Sequence, residues 1–143
     1  MLAEAAVREA NILVIEDNKH DVFLIRQALE EAGVQAKLTV LDDGSAALNH
    51  ICTLTDGTGQ PDLVLLDLNL PSLSGLEILE AARARECLGK SPVVILTSSH
   101  SSRDRSRAQE LGVADYLIKP VDLDEFLALG NTLAGMVRRA DRA

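Results

Sequence analysis

The chain has 143 residues, 47% of them apolar, a size that suits one domain with a core of its own and no effector-type domain beside it. With 22 acidic residues against 14 basic ones the formal net charge is −8, which argues against a nucleic-acid partner, since phosphate binding needs clustered Lys and Arg. Cys52 and Cys87 form no C-x-x-C pair and imply no disulfide framework, and no run approaches the ~18 apolar residues of a membrane span. The expectation is a cytoplasmic protein without a membrane partner.

Residues 1–10 carry Glu4, Arg8 and Glu9, lack the apolar stretch of a signal peptide and read as a tail. Residues 12–15 then form a short unbroken apolar run that ends at Glu16 and Asp17, as a strand covered on both faces would. Val22, Ile25, Leu29 and Ala32 follow at helical spacing, and Gly33 stands where that helix should stop. Residues 36–40 alternate apolar with polar, which suits an edge strand with one wetter face. Ala47, Leu48 and Ile51 mark a second helix, followed by a loop over residues 53–60.

The second unbroken run, 63–66, leads to Asp67, Asn69 and Pro71, and Leu76, Leu79 and Ala82 or Arg83 continue it as a helix that Gly89 should end. A third run, 93–96, ends at Thr97. Residues 101–109 are almost wholly polar, with Ala108 and Leu111 as the main apolar anchors, so this helix is expected to be lightly held and cheap to move. The mixed stretch 114–118 suits the other sheet edge and leads to Lys119 and Pro120. In the last helix Leu123, Phe126, Leu127, Leu129, Leu133, Met136 and Val137 spread over about half the circumference, more than one packed face needs. That excess points to a docking contact or a homodimer through this helix, and residues 139–143 read as a second tail. Both cysteines fall within helical patterns, as small half-buried residues.

Strand and helix patterns thus alternate five times, and right-handed crossovers place helices on both faces of a parallel sheet, a doubly wound α/β domain. Parallel strands bring Glu16, Asp17, Asp67, Asn69, Thr97 and Lys119 to one sheet edge. Two carboxylates ~4 Å apart repel by roughly 4 kcal/mol at an effective dielectric near 20, so three together need a counter-charge. A hard divalent cation supplies it, and Mg²⁺ suits one or two protein carboxylates beside phosphate oxygens. Lys119 adds a point charge and Thr97 a hydroxyl donor for a phosphoryl group.

This set of pieces resembles the receiver domain of two-component response regulators: residues 12–18, 63–71, Gly75, 95–98, Gly112, 114–116 and Lys119-Pro120, in that order and spacing, over roughly 11–137. The resemblance implies a receiver over residues 11–138 with the flavodoxin-like fold, a five-stranded parallel sheet in the order 2-1-3-4-5. It implies Asp67 as phosphoacceptor from a sensor histidine kinase, a bacteriophytochrome being one such kinase, and Mg²⁺ held by Asp17, Asp67, the Asn69 carbonyl and, through water, Glu16. It also implies a switch in which the Thr97 hydroxyl moves to the phosphoryl group and Tyr116 rotates inward, remodelling the face of the fourth helix, fifth strand and fifth helix. The peptide before Pro120 is expected to be cis, and Asn69 and Ser99 stand where side chains tune the phosphoryl lifetime.

Taken singly, Asp67 and the Glu16-Asp17 pair read equally well as capping or turn residues, and Tyr116 as a half-buried aromatic; their joint occurrence with Thr97 and Lys119 favours the site. His20, His50 and His100 show no metal-ligand spacing and read as solvated. A flavodoxin would need a Ser/Thr/Gly-rich loop after the first strand, where this chain has acids. An aspartyl-phosphate hydrolase would need an acid where Asn69 stands, so the chain is not expected to be an enzyme in its own right. The roles left open are an output messenger, a phosphorelay intermediate or phosphate sink, and a receiver-like binding module that is not phosphorylated.

Overall fold

The computed structural model describes residues 9–54 and 59–142. Most of the expected N-terminal tail and residues 55–58 of the expected loop lie outside the described residues. The apolar runs are strands: β1 (Ala10–Ile15), β2 (Ala36–Leu41), β3 (Leu63–Leu66), β4 (Val93–Thr97) and β5 (Asp115–Ile118). All pair in parallel in the order β2-β1-β3-β4-β5, as expected. Every residue of β3 and β4 is buried, while β2 alternates and stays partly exposed. Register carries the function here. Ile15 lies opposite both Leu41 and Leu66, so Glu16 and Asp67 leave the sheet at one level, while Leu66 lies opposite Ile95 and Ile95 opposite Tyr116, so Lys119 follows two residues further along the same edge.

Successive strand residues point to opposite faces and so feed two cores. Ile12, Val14, Leu63, Leu65, Val94 and Leu96 pack under α1 (Lys19–Glu31) and α5 (Leu123–Arg142). Leu13, Ile15, Val64, Leu66, Val93 and Ile95 pack under α2 (Gly44–Thr53), α3 (Gly75–Ala84) and α4 (Ser102–Glu110). Each fully buried Leu or Ile contributes ~1.5–3 kcal/mol, so these strands carry much of the driving force. Helix starts are written locally: Asn18, Asp43, Ser74 and Ser101 each accept a backbone N–H of the first turn, and Ser74 with Glu77 forms a reciprocal capping box.

Three expectations need correction. The helix α3 ends at Ala84, where Glu86 takes the left-handed conformation, so Gly89 turns the following loop and Cys87 lies outside the helix. The helix α5 runs on to Arg142, through most of the expected tail. Its broad apolar face is also consumed inside the chain: Phe126, Leu133, Met136 and Val137 are buried, and Leu129 packs on the same core beside α1. A single face would not suffice because α5 meets both the sheet and α1. Among the described residues of that face, Leu123 is 55% exposed and Leu127 half-buried.

At the α1–α5 crossing a methyl on Gly130 would collide with the Ala28 carbonyl, so the two helices touch backbone to backbone there. The α4 helix buries only Ala108 among its residues and otherwise rests on polar ties, in line with its sequence. Arg83 of α3 donates to the carbonyls of Leu111 and Gly112 at the end of α4, and Arg107 pairs with Glu80 at 2.6 Å.

Candidate functional site

Glu16, Asp17 and Asp67 emerge from β1 and β3 with one carboxylate oxygen of each lying within 4.8 Å of the others. Glu16 and Asp67 are buried and Asp17 is exposed, which leaves the cluster open on one side. Lys119 follows β5, its own N–H held by the Thr97 carbonyl at 2.8 Å, and its ammonium reaches back across the sheet edge. It meets Glu16 Oε2 at 2.6 Å, Asp21 Oδ2 at 2.8 Å and Asp67 Oδ2 at 2.9 Å. Burial alone would lower the Lys119 pKa, but the bonds to Asp21, Glu16 and Asp67 outweigh it and hold the ammonium charged.

Glu16 shows the opposite balance. Burial pushes its carboxyl up to about 7 with help from the Asp67 charge, against the bonds from Lys119 and the Asn18 N–H. Four carboxyl groups, those of Glu16, Asp17, Asp21 and Asp67, thus stand about one ammonium, and burial makes Glu16 reluctant to ionise without a further counter-charge. Three oxygen donors in reach of one point, two of them buried, make a hard donor set that fits a divalent cation of the Mg²⁺ class.

The loop after Asp67 is fixed from two sides. The Asn69 N–H donates to Asp67 Oδ1 at 3.3 Å, which places Asn69 at the exposed mouth of the cluster. Ser72 sits at φ 67° and its hydroxyl donates to Asp43 Oδ2 at 3.1 Å while accepting the Ser45 N–H. Gly44 and Gly75 have no room for a Cβ against the carbonyls of Leu73 and Asp67. Those close approaches hold the backbone that carries Asp67 and Asn69 against the start of α2, with the left-handed Ser72 as the strained point.

On the far side, Thr97 is wholly buried and its hydroxyl oxygen accepts the Ser99 N–H at 3.3 Å. Ser99 in turn donates to Asp104 Oδ2 at 2.7 Å, and its carbonyl accepts the Tyr116 hydroxyl at 3.0 Å. Tyr116 is 5% exposed, with the Arg105 guanidinium 4.7 Å from its ring centre. The ring thus occupies the inward position that the resemblance ties to the switched form. The peptide before Pro120 is trans, contrary to expectation, with no cis bond among the described residues. Trans is the lower-energy isomer of an X–Pro bond by about 0.5–1 kcal/mol, and three carboxylates aim the ammonium here.

The model of the response regulator receiver domain family matches residues 12–130 of this chain. The chain belongs to that family. This receiver is 41% identical over 116 residues to the probable methanogenesis regulatory protein FilR2 of Methanothrix harundinacea, covering 80% of this chain and 74% of that protein. It is 35% identical over 120 residues to the response regulator Rcp1 of Synechocystis, 82% of each chain. The crystal structure of Mn(2+)-bound Rcp1 superposes with a TM-score of 0.77 over 88% of this chain and 92% of that one, at 32% identity. The phosphorylated cyanobacterial phytochrome response regulator RcpA superposes with a TM-score of 0.80, at 28% identity over 92% and 95%.

For the receiver, sequence reading placed Glu16, Asp17, Asp67, Asn69, Thr97 and Lys119 at one edge, and the structure brings them there. It missed Asp21. An acid in the first turn of a helix reads as a dipole partner, and only the path of Lys119 across the sheet edge reveals its second contact. Asp43 and Ser72, 29 residues apart, were likewise invisible as a pair.

Proposed function

We propose that this receiver accepts a phosphoryl group on Asp67 from a sensor histidine kinase in a Mg²⁺-dependent reaction, and signals through the face of α4, β5 and α5. The observation that carries the reading is the Asp67 carboxylate, buried beside Glu16 and Asp17 with the Lys119 ammonium 2.9 Å away. Carboxylate attack on phosphorus forms the Asp67 O–P bond as the P–N bond to the kinase imidazole breaks, its electron pair leaving with the nitrogen. Such a step needs placement and charge neutralisation more than acid-base help. Asp17, Asp67 and the Asn69 carbonyl, with Glu16 behind them, would hold a Mg²⁺ ion, which would supply positive charge for the phosphoryl oxygens. Rcp1 binding Mn²⁺ supports a divalent ion at this position.

Lys119 shifts from the Asp67 oxygen to a phosphoryl oxygen, and Thr97 turns its hydroxyl the same way. The Ser99 N–H then loses its acceptor, which carries the change to Asp104 on α4 and to the Tyr116 hydroxyl. The likeness to RcpA makes a phytochrome-type kinase the first partner to try. Intact mass after incubation with acetyl phosphate tests the reading. The expected result is a gain of ~80 Da, one phosphoryl group, that needs Mg²⁺, is absent in EDTA and is lost in Asp67→Asn. A wild type that gains nothing from acetyl phosphate or from any histidine kinase, or an Asp67→Asn variant that gains as much, would remove the reading.

A further inference from the structure

Lysine has three ammonium donors, and in Lys119 all three are taken by carboxylates, from Glu16, Asp21 and Asp67. The first and third of these acids belong to the cluster that fits a cation, and Asp67 is also the group to be phosphorylated. Their hold on Lys119 changes as the site is loaded. Asp21 belongs to neither role. It sits on the first turn of α1, its N–H fixed by the Asn18 side chain at 3.1 Å, and its side chain is 17% exposed. A first-turn acid that served only the helix dipole would have no reason to meet a buried lysine 98 residues away.

We propose, resting on the receiver reading above, that Asp21 is the positioning residue for Lys119. It keeps the ammonium over Asp67 while one of the other donors is handed to the incoming phosphoryl group. With two of three anchors drawn off, Asp21 is the one whose bond outlasts the change, so it sets where the charge stands when the new O–P bond forms. Its role runs entirely through Lys119.

That dependence defines the test, made on the full chain with Asp21→Asn, Lys119→Met and the double variant. Asp21→Asn keeps the side-chain shape and a neutral acceptor while removing the charge. At saturating Mg²⁺ the acetyl phosphate-driven rate is expected to fall about tenfold in Asp21→Asn, the scale of a lost charge-assisted hydrogen bond, with Mg²⁺ affinity by calorimetry unchanged within about twofold. In the Lys119→Met background the same substitution is expected to change nothing further. Losses that multiply in the double variant, or an Asp21→Asn rate equal to wild type, would overturn the proposal.

The second readout needs no phosphoryl transfer. Labelling by an amine-acylating reagent, mapped by peptide mass, should rise about fivefold at Lys119 in Asp21→Asn relative to exposed Lys37 and Lys90, because a lysine released from a buried ion pair is freer to react. Unchanged Lys119 labelling beside a phosphorylated wild type overturns the anchoring alone. A wild type that takes no phosphoryl group overturns the receiver reading and the transfer step with it, and the labelling then still decides whether Asp21 holds the lysine.

Discussion

Glu16 stands in an electrostatic conflict, 3% exposed and pushed up to about 7 from an ordinary 4.5 by burial first of all. The unfolded chain gives up this proton near pH 4.5 and the folded chain only near 7. Glu16 therefore contributes stability below about pH 4.5 that is lost as pH rises through 7. In EDTA, the unfolding free energy of Glu16→Gln minus that of wild type is expected to move towards the variant by on the order of 1–3 kcal/mol between pH 5 and 8, read from urea melts. Excess Mg²⁺ should cancel most of that movement in wild type, since it binds the ionised form. Parallel pH curves for the two proteins would show that burial does not disfavour the Glu16 charge. The residue type was legible in the sequence because an acid pair after an apolar run is a pattern; the conflict was not, because it depends on how deeply one acid of the pair is buried.

Among the elements, α4 departs furthest from the rule that helices are held by an apolar stripe. Its polar sequence announced a light anchorage, and Ala108 is indeed its one buried residue. What the sequence hid is the polar scaffold that replaces the stripe. The Arg83 side chain on α3 reaches two carbonyls at the end of α4, contacts that join residues 28 and 29 positions apart and leave no local pattern. Arg83→Ala should cost about 1–2 kcal/mol of local opening energy, seen as faster amide exchange across residues 102–112 with little change in β1 or β3. Uniform acceleration over all strands would mean instead that Arg83 supports the fold as a whole. The broad face of α5 teaches the converse: much of the half circumference of apolar residues that signalled a partner packs against α1 and the sheet of the same chain.

Over the whole molecule, the central and edge strands and the convergence of the site were readable because unbroken apolar runs mark central strands and parallel strands leave their end residues on one edge, while the strand order followed from the family resemblance. The contacts that adjust the site were not, since Asp21 with Lys119 and Asp43 with Ser72 unite segments far apart in the chain. Gly130 belongs to this second kind. Gly130→Ala must part α1 from α5 and should lower stability by about 1–3 kcal/mol in thermal or denaturant melts. A variant as stable as wild type would show that the crossing yields easily. Asp21 lies seven residues, or about 10 Å of helix, above Ala28, and Lys119 is the last residue but three before α5 begins. The glycine crossing is therefore the fulcrum of a pair of tongs whose tips are an acid and a lysine. One added methyl group, a full helix turn and more from any reacting atom, would spread the handles and detune the grip at the jaws.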